Sequence, residues 1–355
     1  MTGCSLFADA PDIEPRRWRA GMTVVELVQA MGKTCFEARN LRRAAELAAR
    51  MVDENDVIWL GIAGAGIAGG MGGLVASLIE AGHIDVICST GAQVYHDLHF
   101  AFGLPVKAVD PPWDDTALRQ HGDTRIYDIG IREHETLEAQ DELIRRFVRE
   151  QGGDLCGGEL TSWAFNLALG RWAARTAPHA ERSFVVAAAR AGVPVFWDSH
   201  TNHSIAMNLL RCRREGHHVR FSAVDDIRDA AAVVYAAGST GFIELGGGGP
   251  KNFIQQTGPT LSQILGLDYD GADRGLQIGT ANEREGSLSG CTFAEAVTWG
   301  KYSRADSDRL VQVWAEYSLV FPVLVCYLLE SCRQRPLRRL TERMPALTQA
   351  LEDAC

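Results

Sequence analysis

Lysine is scarce in this chain of 355 residues. Lysine and arginine together number 35, and only Lys33, Lys107, Lys251 and Lys301 are lysines, which leaves 35 − 4 = 31 arginines. Arginine thus fills nearly every position that needs only a positive charge. An amine can lose its proton when desolvated and then attack carbon or form an imine, whereas a guanidinium stays charged. Lys301 is therefore a candidate catalytic residue, and chance retention in an arginine-rich composition is the alternative.

Other absences exclude whole classes of protein. The nine cysteines are scattered, odd in number and form no C-x-x-C pair, which argues against a disulfide framework or structural zinc. Residues 1–19 lack the apolar core of a secretory signal, and the most hydrophobic run, 319–329, is too short to span a bilayer. The net charge of −10 comes without a basic stripe. We expect a cytoplasmic protein with neither membrane nor nucleic acid as partner.

From residue 57 onward, short apolar runs that end in Gly, Ser or Thr alternate with longer amphipathic stretches. This alternation is typical of repeated β-α units around a parallel sheet. The predicted strands are 57–62, 85–89, 193–197, 241–245, 276–280 and 310–314. The predicted helices between them include 182–191, 225–237, 253–264, 293–299 and 318–329.

The predicted fold is therefore α/β, a doubly wound and mostly parallel sheet with Rossmann-like, NAD-binding topology. Apolar residues at helical spacing, Phe36 among them, add an N-terminal helical extension. We divide the chain into a helical arm (1–50), a catalytic domain (51–335) and a C-terminal helix (336–355).

Two predicted strands end in glycine clusters. The first, Gly64-x-Gly66-x-x-Gly69, satisfies the dinucleotide pattern, in which glycines let backbone N–H groups approach a pyrophosphate. The acidic residue expected about twenty positions later would be Asp85, but it lies at the start of its strand, far from the edge where a ribose would lie. A tight helix–sheet contact is the alternative interpretation.

The second cluster, 246–249, precedes Pro250 at a predicted helix start, so its backbone can approach a ligand closely. Two further strand ends, 89–92 and 280–283, carry polar groups. In a parallel sheet all these ends fall on one edge, where ligands bind.

Two histidine clusters, 96–99 and 198–203, suggest a metal site, because imidazole and carboxylate can hold a divalent cation that activates water. Their spacing matches no strong zinc signature, so hydrogen-bonding roles are favoured. A serine hydrolase is disfavoured because no G-x-S-x-G segment occurs.

Four segments resemble the deoxyhypusine synthase family, which includes homospermidine synthases: LGGGGPKN (245–252), SLSG (287–290), EAVTWGK (295–301) and SLVFP (318–322). The resemblance extends from about residue 57 to 329. It implies an NAD-dependent aminobutyl transferase: spermidine is oxidised to an imine, a lysine captures the butyl fragment, an acceptor amine takes it, and the retained NADH reduces the product. Lys301 matches that lysine, in agreement with the argument from lysine scarcity.

The resemblance also implies the other site residues. The substrate positions are Glu295, Trp299, Asn252, Met207, Leu288 and Ser289. The positions for the cofactor NAD are Gly64, Ala65, Thr90, Gly91, Ala92, Asn202, Gly247, Gly248, Thr280, Ala281, Glu285, Ala315 and Glu316. No metal is expected, and the family's homotetramers, with active sites shared across a dimer interface, imply a homotetramer here.

Departures from the family pattern concern the substrate. Asn252 replaces a histidine thought to assist oxidation, and Leu288 and Met207 replace acids that hold the amine ends of spermidine. Asn202 stands where eukaryotic members keep an aspartate. These features are typical of the bacterial branch, for which we expect homospermidine synthesis from a free diamine. The alternatives are modification of a lysine in a factor 5A-type protein, a metal-dependent hydrolase of a guanidino or amide substrate, and a non-catalytic NAD-binding protein.

Overall fold

The computed structural model describes residues 5, 7–306 and 308–355. Residues 1–4 and 6, which belong to the predicted arm and include Cys4, lie outside the described residues, as does Ser307. Within this part of the chain the strands are β1 (Val57–Ile62), β2 (Val86–Ser89), β3 (Val106–Ala108), β4 (Asp123–Ile126), β5 (Ile129–Arg132), β6 (Glu159–Leu160), β7 (Val195–Trp197), β8 (Arg220–Phe221), β9 (Thr240–Leu245), β10 (Arg274–Gly279) and β11 (Leu310–Trp314).

The same described residues also form the α-helices, which are numbered in chain order. They are α1 (Val24–Met31), α2 (Phe36–Asp53), α3 (Gly72–Glu80), α4 (Gly91–Phe102), α5 (Asp115–Gln120), α6 (Ala139–Glu150), α7 (Gly152–Leu155), α8 (Ser162–Thr176), α9 (Phe184–Ala191), α10 (Ser204–Arg214), α11 (Ala223–Tyr235), α12 (Gly248–Gln255), α13 (Thr257–Pro259), α14 (Phe293–Thr298), α15 (Tyr317–Ser331) and α16 (Leu340–Ala354).

The main sheet has six parallel strands in the order β11-β10-β9-β1-β2-β7. Counted along the chain from β1, this is the 3-2-1-4-5-6 order of the Rossmann fold. The chain builds outward from β1 to β7, then returns to the other side of β1 and builds out to β11. The predicted α/β, doubly wound, Rossmann-like fold is therefore confirmed.

Hydrophobicity explains why these strands form. Every residue of β1, β9 and β10 is buried, because helices cover both faces of the sheet. One core contains Leu60, Ile243 and Phe321, and the other contains Trp59, Phe242 and Leu347. Strands buried on both faces read as continuous apolar runs, and all six predicted strands overlap strands of this sheet.

The N-terminal segment is helical only from Val24. Residues 7–22 form turns and extended chain, whereas α2 packs against β11 and α15. Phe36, which the periodicity assigns to an apolar face, is instead 88% exposed, with a φ of 60° at the start of α2. The division of the chain at residues 50 and 335 stays a prediction.

Two features depart from the predicted elements. Residues 106–132 contain a three-stranded antiparallel sheet, in the order β3-β5-β4, that the sequence pattern did not reveal. The helix predicted at 253–264 is broken into α12, α13 and a π-helical turn, Thr260–Ile264. It breaks at Pro259, which has no N–H to donate to the preceding turn. Among the described residues, no helix has the length and apolar character that crossing a bilayer requires.

Candidate active site

The pairing of β1 with β9 marks the point where the direction of strand succession reverses. Ile62 lies beside Leu245 in the sheet, and the amide of Ala63 extends the pairing to the carbonyl of Leu245 at 3.0 Å. Both glycine clusters begin directly after these two strands. Because the following segments, with α3 and α12, pack on opposite faces of the sheet, a crevice opens between the turns, as ligand sites in such folds do.

Tyr317 occupies the first glycine turn. Its hydroxyl donates to the carbonyl of Ala63 at 2.8 Å and accepts from the amide of Gly66 at 2.8 Å. A Cβ at Gly66 would lie 2.5 Å from that hydroxyl, and one at Gly64, where φ is +77°, would lie 3.2 Å from it. These two glycines are therefore required by the contact with Tyr317, as well as by any ligand.

The later glycines of this turn border a cavity of about 760 Å³. A Cβ at Gly70, where φ is +92°, would meet nothing within 4 Å among the described residues. The antiparallel sheet contributes Lys107, Tyr127 and Asp128 to the opposite wall, and Glu316 follows β11 at the rim. An open glycine backbone beside an exposed carboxylate fits a dinucleotide, since the backbone can approach phosphates and the carboxylate can accept ribose hydroxyls.

Asp85 cannot supply that carboxylate. It is 4% exposed at the opposite edge of the sheet, where it accepts from the amide of Ile58 at 2.9 Å and pairs with Arg335 at 2.9 Å and Arg338 at 3.3 Å. Its ion pairs join the C-terminal segment to the strands. Glu316, at the carboxyl edge, is the acid near the glycine turn.

The second glycine turn is packed by side chains from two other strand ends. A Cβ at Gly247 would lie 2.6 Å from Ser289, and one at Gly249 would lie 1.9 Å from Asp198. The hydroxyl of Ser289 accepts from the amide of Gly248 at 2.9 Å. These contacts place residues 287–290, after β10, against the start of α12.

Lys301 lines a second cavity, of about 630 Å³, which shares no lining residue with the first. Its Nζ donates to Asn252 Oδ1 at 2.9 Å, and its backbone N–H bonds to Ala296 O at 3.1 Å. Gly300 has a φ of +68°, the left-handed conformation that ends helices, so the chain reverses after α14 and directs the lysine inward. Gly258, beside the break between α12 and α13, lets the carbonyl of Gly300 approach.

The half-buried amine of Lys301 is electrostatically perturbed. Burial lowers the pKa of Lys301 from its ordinary value, and the neighbouring charge of Lys251 lowers it further. The nearby Cys291, Glu244 and Glu295 act in the opposite direction. A lysine with a lowered pKa is a stronger nucleophile near neutral pH, because more of it is uncharged.

The rim of this cavity offers groups for a cationic chain. Glu295 and Trp299 are four positions apart, at the start and the end of α14, so they share one side of that helix. Trp299 is 64% exposed and Leu288 is 49% exposed. Glu283 adds a second carboxylate. The resemblance also implies Ser289 as a substrate position, and it lies behind Leu288, against Gly248.

The other residues implied by the resemblance lie along the same carboxyl edge. Thr90 caps α4, with Gly91 close to the ring of His203, and Thr280 and Ala281 follow β10. Glu285 accepts from Ser287 Oγ at 3.0 Å, and Ala315 precedes Glu316 after β11. Asn202 is exposed on the loop after β7. Met207, on α10, is 70% exposed and lines neither of these two cavities within the described protomer.

Sequence reasoning missed a buried polar network beneath Lys301. It consists of five side chains that are each at most 2% exposed, namely Glu244, Lys251, Gln255, Gln277 and Tyr302. One signal was present, because Glu244 interrupts the apolar run of β9, and a charged residue is rarely buried without partners. Its partners lie in other elements, so the sequence did not reveal them.

Residues of the two histidine clusters take part in hydrogen bonds. Asp97 accepts from Ser183 Oγ and from the amides of Phe184 and Val185, and burial raises its pKa to about 7. His200 Nε2 lies 2.6 Å from Asp226 Oδ2. The described residues contain no group of three or more His, Cys, Asp or Glu side chains placed to hold a metal ion.

Comparison with known proteins identifies related chains. Residues 26–328 match the family model described as deoxyhypusine synthase. A deoxyhypusine synthase-like protein of Cyanothece is 34% identical over 93% of this chain and 85% of its own length. The protein named "Probable deoxyhypusine synthase 2" in Methanosarcina mazei is 36% identical over 88% of each chain.

A solved structure has the same fold. It belongs to an Entamoeba histolytica protein provisionally assigned as a deoxyhypusine synthase, and it matches with a TM-score of 0.59 over 90% of this chain and 97% of that one. At 17% identity, this likeness supports the fold alone.

The close contact of Tyr317 with the glycine turn leads to a stability prediction. We expect Gly66→Ala to lower the free energy of unfolding by about 1–3 kcal/mol, the usual cost of overpacking, as measured by urea denaturation. Gly73→Ala is the control, because its methyl group would meet nothing within 4 Å among the described residues. Tyr317→Leu should recover part of the loss in the double variant. Equal stability of the two alanine variants would contradict the proposed contact.

Proposed function

The chain belongs to the deoxyhypusine synthase family, and from that membership we propose that it transfers the aminobutyl group of spermidine, or of a related polyamine, to a free diamine. With putrescine as acceptor, the product would be homospermidine. The observation that carries the proposal is the half-buried amine of Lys301, with its lowered pKa, in a cavity whose rim bears Glu295 and Trp299. Such an amine is suited to imine chemistry.

The chemistry of Lys301 follows from its uncharged amine. Bound NAD would supply the hydride acceptor for oxidation of the donor's C–N bond and would return the hydride to the product. The Lys301 amine then adds to the oxidised carbon, and the C–N bond to the departing diamine breaks, which leaves the butyl fragment as an imine on Nζ. The acceptor amine attacks the same carbon and releases Lys301 as the free amine.

The rim residues would bind the cationic chain. The carboxylate of Glu295 can pair with an ammonium group, and the face of Trp299 can hold the adjacent charge through a cation–π contact. Leu288 offers no charge, so one end of a polyamine loses a partner there. We therefore infer that spermidine binds less tightly than it would with an acid at this position.

The residues that would hold NAD are those of the glycine-turn crevice. The open backbone around Gly69 and Gly70 would face the phosphates, and Glu316 would accept ribose hydroxyls. Thr90, Gly91 and Ala92, at the N-terminus of α4, would add further amides. Gly247 and Gly248, in the second glycine turn, and Thr280 and Ala281, after β10, would add further contacts to NAD.

We further infer a homotetramer in which a second copy completes each site. Met207, Leu288 and Trp299 are large apolar side chains that their own protomer leaves exposed, and such residues commonly lie in contacts between chains. Covering the rim would also exclude water from the imine. A mass of about four chains by light scattering, at concentrations used for assay, is expected; a monomer that is active would contradict this inference.

The exposed rim of the Lys301 cavity would also admit a second kind of acceptor, a lysine of another protein. Because Trp299 and Leu288 are exposed, the side chain of a lysine on a factor 5A-type protein could enter the Lys301 cavity. Transfer to that protein, with none to putrescine, would favour this alternative over homospermidine synthesis.

The first functional prediction concerns Lys301. Purified protein with NAD, spermidine and putrescine should form homospermidine, detected by mass spectrometry. Lys301→Arg should lower the rate by about a thousandfold or more, because a guanidinium stays protonated and cannot form the imine. NAD affinity should stay within about twofold of the original. Lys33→Arg, on the surface beside Glu14, is the matched control. A fully active Lys301→Arg variant would overturn the role of this lysine.

The second concerns Leu288. We expect Leu288→Asp to tighten spermidine binding about two- to fivefold, as for a half-exposed ion pair worth up to about 1 kcal/mol. Isothermal titration without an acceptor measures this affinity, and Leu288→Asn controls for polarity without charge. The same affinity in the Asp and Asn variants would show that this position does not contact the amine.

A further inference from the structure

Glu244 is a fully buried carboxylate with incomplete hydrogen bonding. Its Oε1 accepts from Gln255 Nε2 at 2.7 Å and from the hydroxyl of Tyr302 at 2.9 Å. Its Oε2 has no hydrogen-bond partner among the residues that the structure describes. Burial raises the pKa of Glu244, while the charges of Lys251 and Lys301 lower it. Glu244 lies beside Gln277 in the paired strands β9 and β10, and Lys251 Nζ donates to Gln277 Oε1 at 2.9 Å, so Glu244 and Lys251 share this neighbour.

The Nζ of Lys251 is the donor in both of the hydrogen bonds that it makes to described residues. Its Nζ donates to Cys291 O at 2.6 Å and to Gln277 Oε1 at 2.9 Å. The orientation of that amide is fixed, because Gln277 Nε2 donates to the carbonyls of Gly246 and Ser289 at 3.0 and 2.9 Å. Lys251 is 2% exposed, so both of these hydrogen bonds to carbonyl oxygens are made in the buried interior.

The amine of Lys301 has fewer hydrogen-bond acceptors around it than that of Lys251, so a positive charge on Lys301 is less stabilised. Among the described residues its Nζ makes one hydrogen bond, to Asn252 Oδ1, which a neutral amine can also donate. Ammonium groups on the buried Lys251 and the half-buried Lys301 near one carboxylate would leave an uncompensated charge in a medium of low dielectric constant, which is costly. Lys301, the lysine with fewer acceptors, is the one whose pKa burial lowers.

We propose that Lys251 is a positioning residue for the transfer reaction, whose buried ammonium takes up the single charge of Glu244 and so keeps the amine of Lys301 uncharged and able to attack. The inference rests on the proposed function only for the role of Lys301 as the attacking amine. The arrangement of the two lysines and the carboxylate stands without it.

The other groups that face Lys301 do not reverse this effect. Glu295 lies on the exposed rim, where water screens its charge. Cys291 would counteract Lys251 only as a thiolate, and burial raises the pKa of Cys291, so its thiol is neutral near pH 7. Glu244 is the remaining acidic group among those that act on Lys301.

The scarcity of lysine makes a direct test practical. Labelling with ¹³C at the lysine ε-carbon gives four resonances, which substitutions assign, and each amine can be titrated by NMR. We expect Lys251→Gln, which keeps a hydrogen-bond donor without the charge, to raise the titration midpoint of Lys301 by about one pH unit. Glu244→Gln should lower that midpoint, and Lys251→Arg should leave it unchanged. Lys33 serves as an internal reference.

The outcomes separate this proposal from a structural role. An unchanged Lys301 midpoint in folded Lys251→Gln would overturn it, as would equal shifts in the Gln and Arg variants. In the transferase assay, the acidic limb of the pH–rate profile should move to higher pH in Lys251→Gln, with activity recovered near pH 9. Activity lost at every pH without a shifted midpoint would indicate damage to the fold and refute the proposal.

The titration needs neither NAD nor polyamine. If no substrate is turned over, the proposed function fails, while the midpoints still decide whether Lys251 controls the charge of Lys301. A shifted midpoint without turnover would support the electrostatic proposal alone.

Discussion

The hydrogen-bonded pairing of β1 with β9 is the constraint on which the candidate site depends. Six residues of each strand are in register, and both strands are buried on both faces, so their carboxyl ends are fixed relative to one another. The glycine turns that follow must diverge to opposite faces of the sheet. Because Tyr317 fills one turn and Ser289 and Asp198 pack the other, the crevice has a defined width before any ligand enters. Lys301 lines a separate cavity, which shares no lining residue with the one beside the first glycine turn.

The sequence predicted the main sheet well and the polar interior poorly, for physical reasons. A parallel strand between two helical layers must be apolar along its whole length, and this pattern is local, as in 57–62 and 310–314. The antiparallel sheet at 106–132 is half exposed and gives no such run. The packing of the Gly300 carbonyl against Gly258, beside the break at Pro259, joins residues about forty positions apart, which a helical period does not encode.

The candidate site could likewise be predicted from the sequence only in part. Lys301 could be found from composition and motif, whereas the charged residues near it, Lys251 and Glu244, converge only through the fold. The dinucleotide pattern was also ambiguous, because Gly66 satisfies it while being required by Tyr317. A glycine motif alone therefore identifies a close backbone approach, and only the surrounding cavity indicates what approaches. The roles of the remaining cofactor and substrate positions stay predictions.

The exposure of the rim of the Lys301 cavity has a consequence for how the sequence of such a protein can diverge. Leu288 lies on an exposed turn and Met207 on an exposed helix face, so substitutions there cost little stability. Lys301, Lys251 and Glu244 are instead tied to the packed interior, where most changes are destabilising. With the function proposed above, selection could alter which amine is accepted without disturbing the residues proposed to activate it. In this fold, the choice of substrate and the chemistry can evolve at different rates.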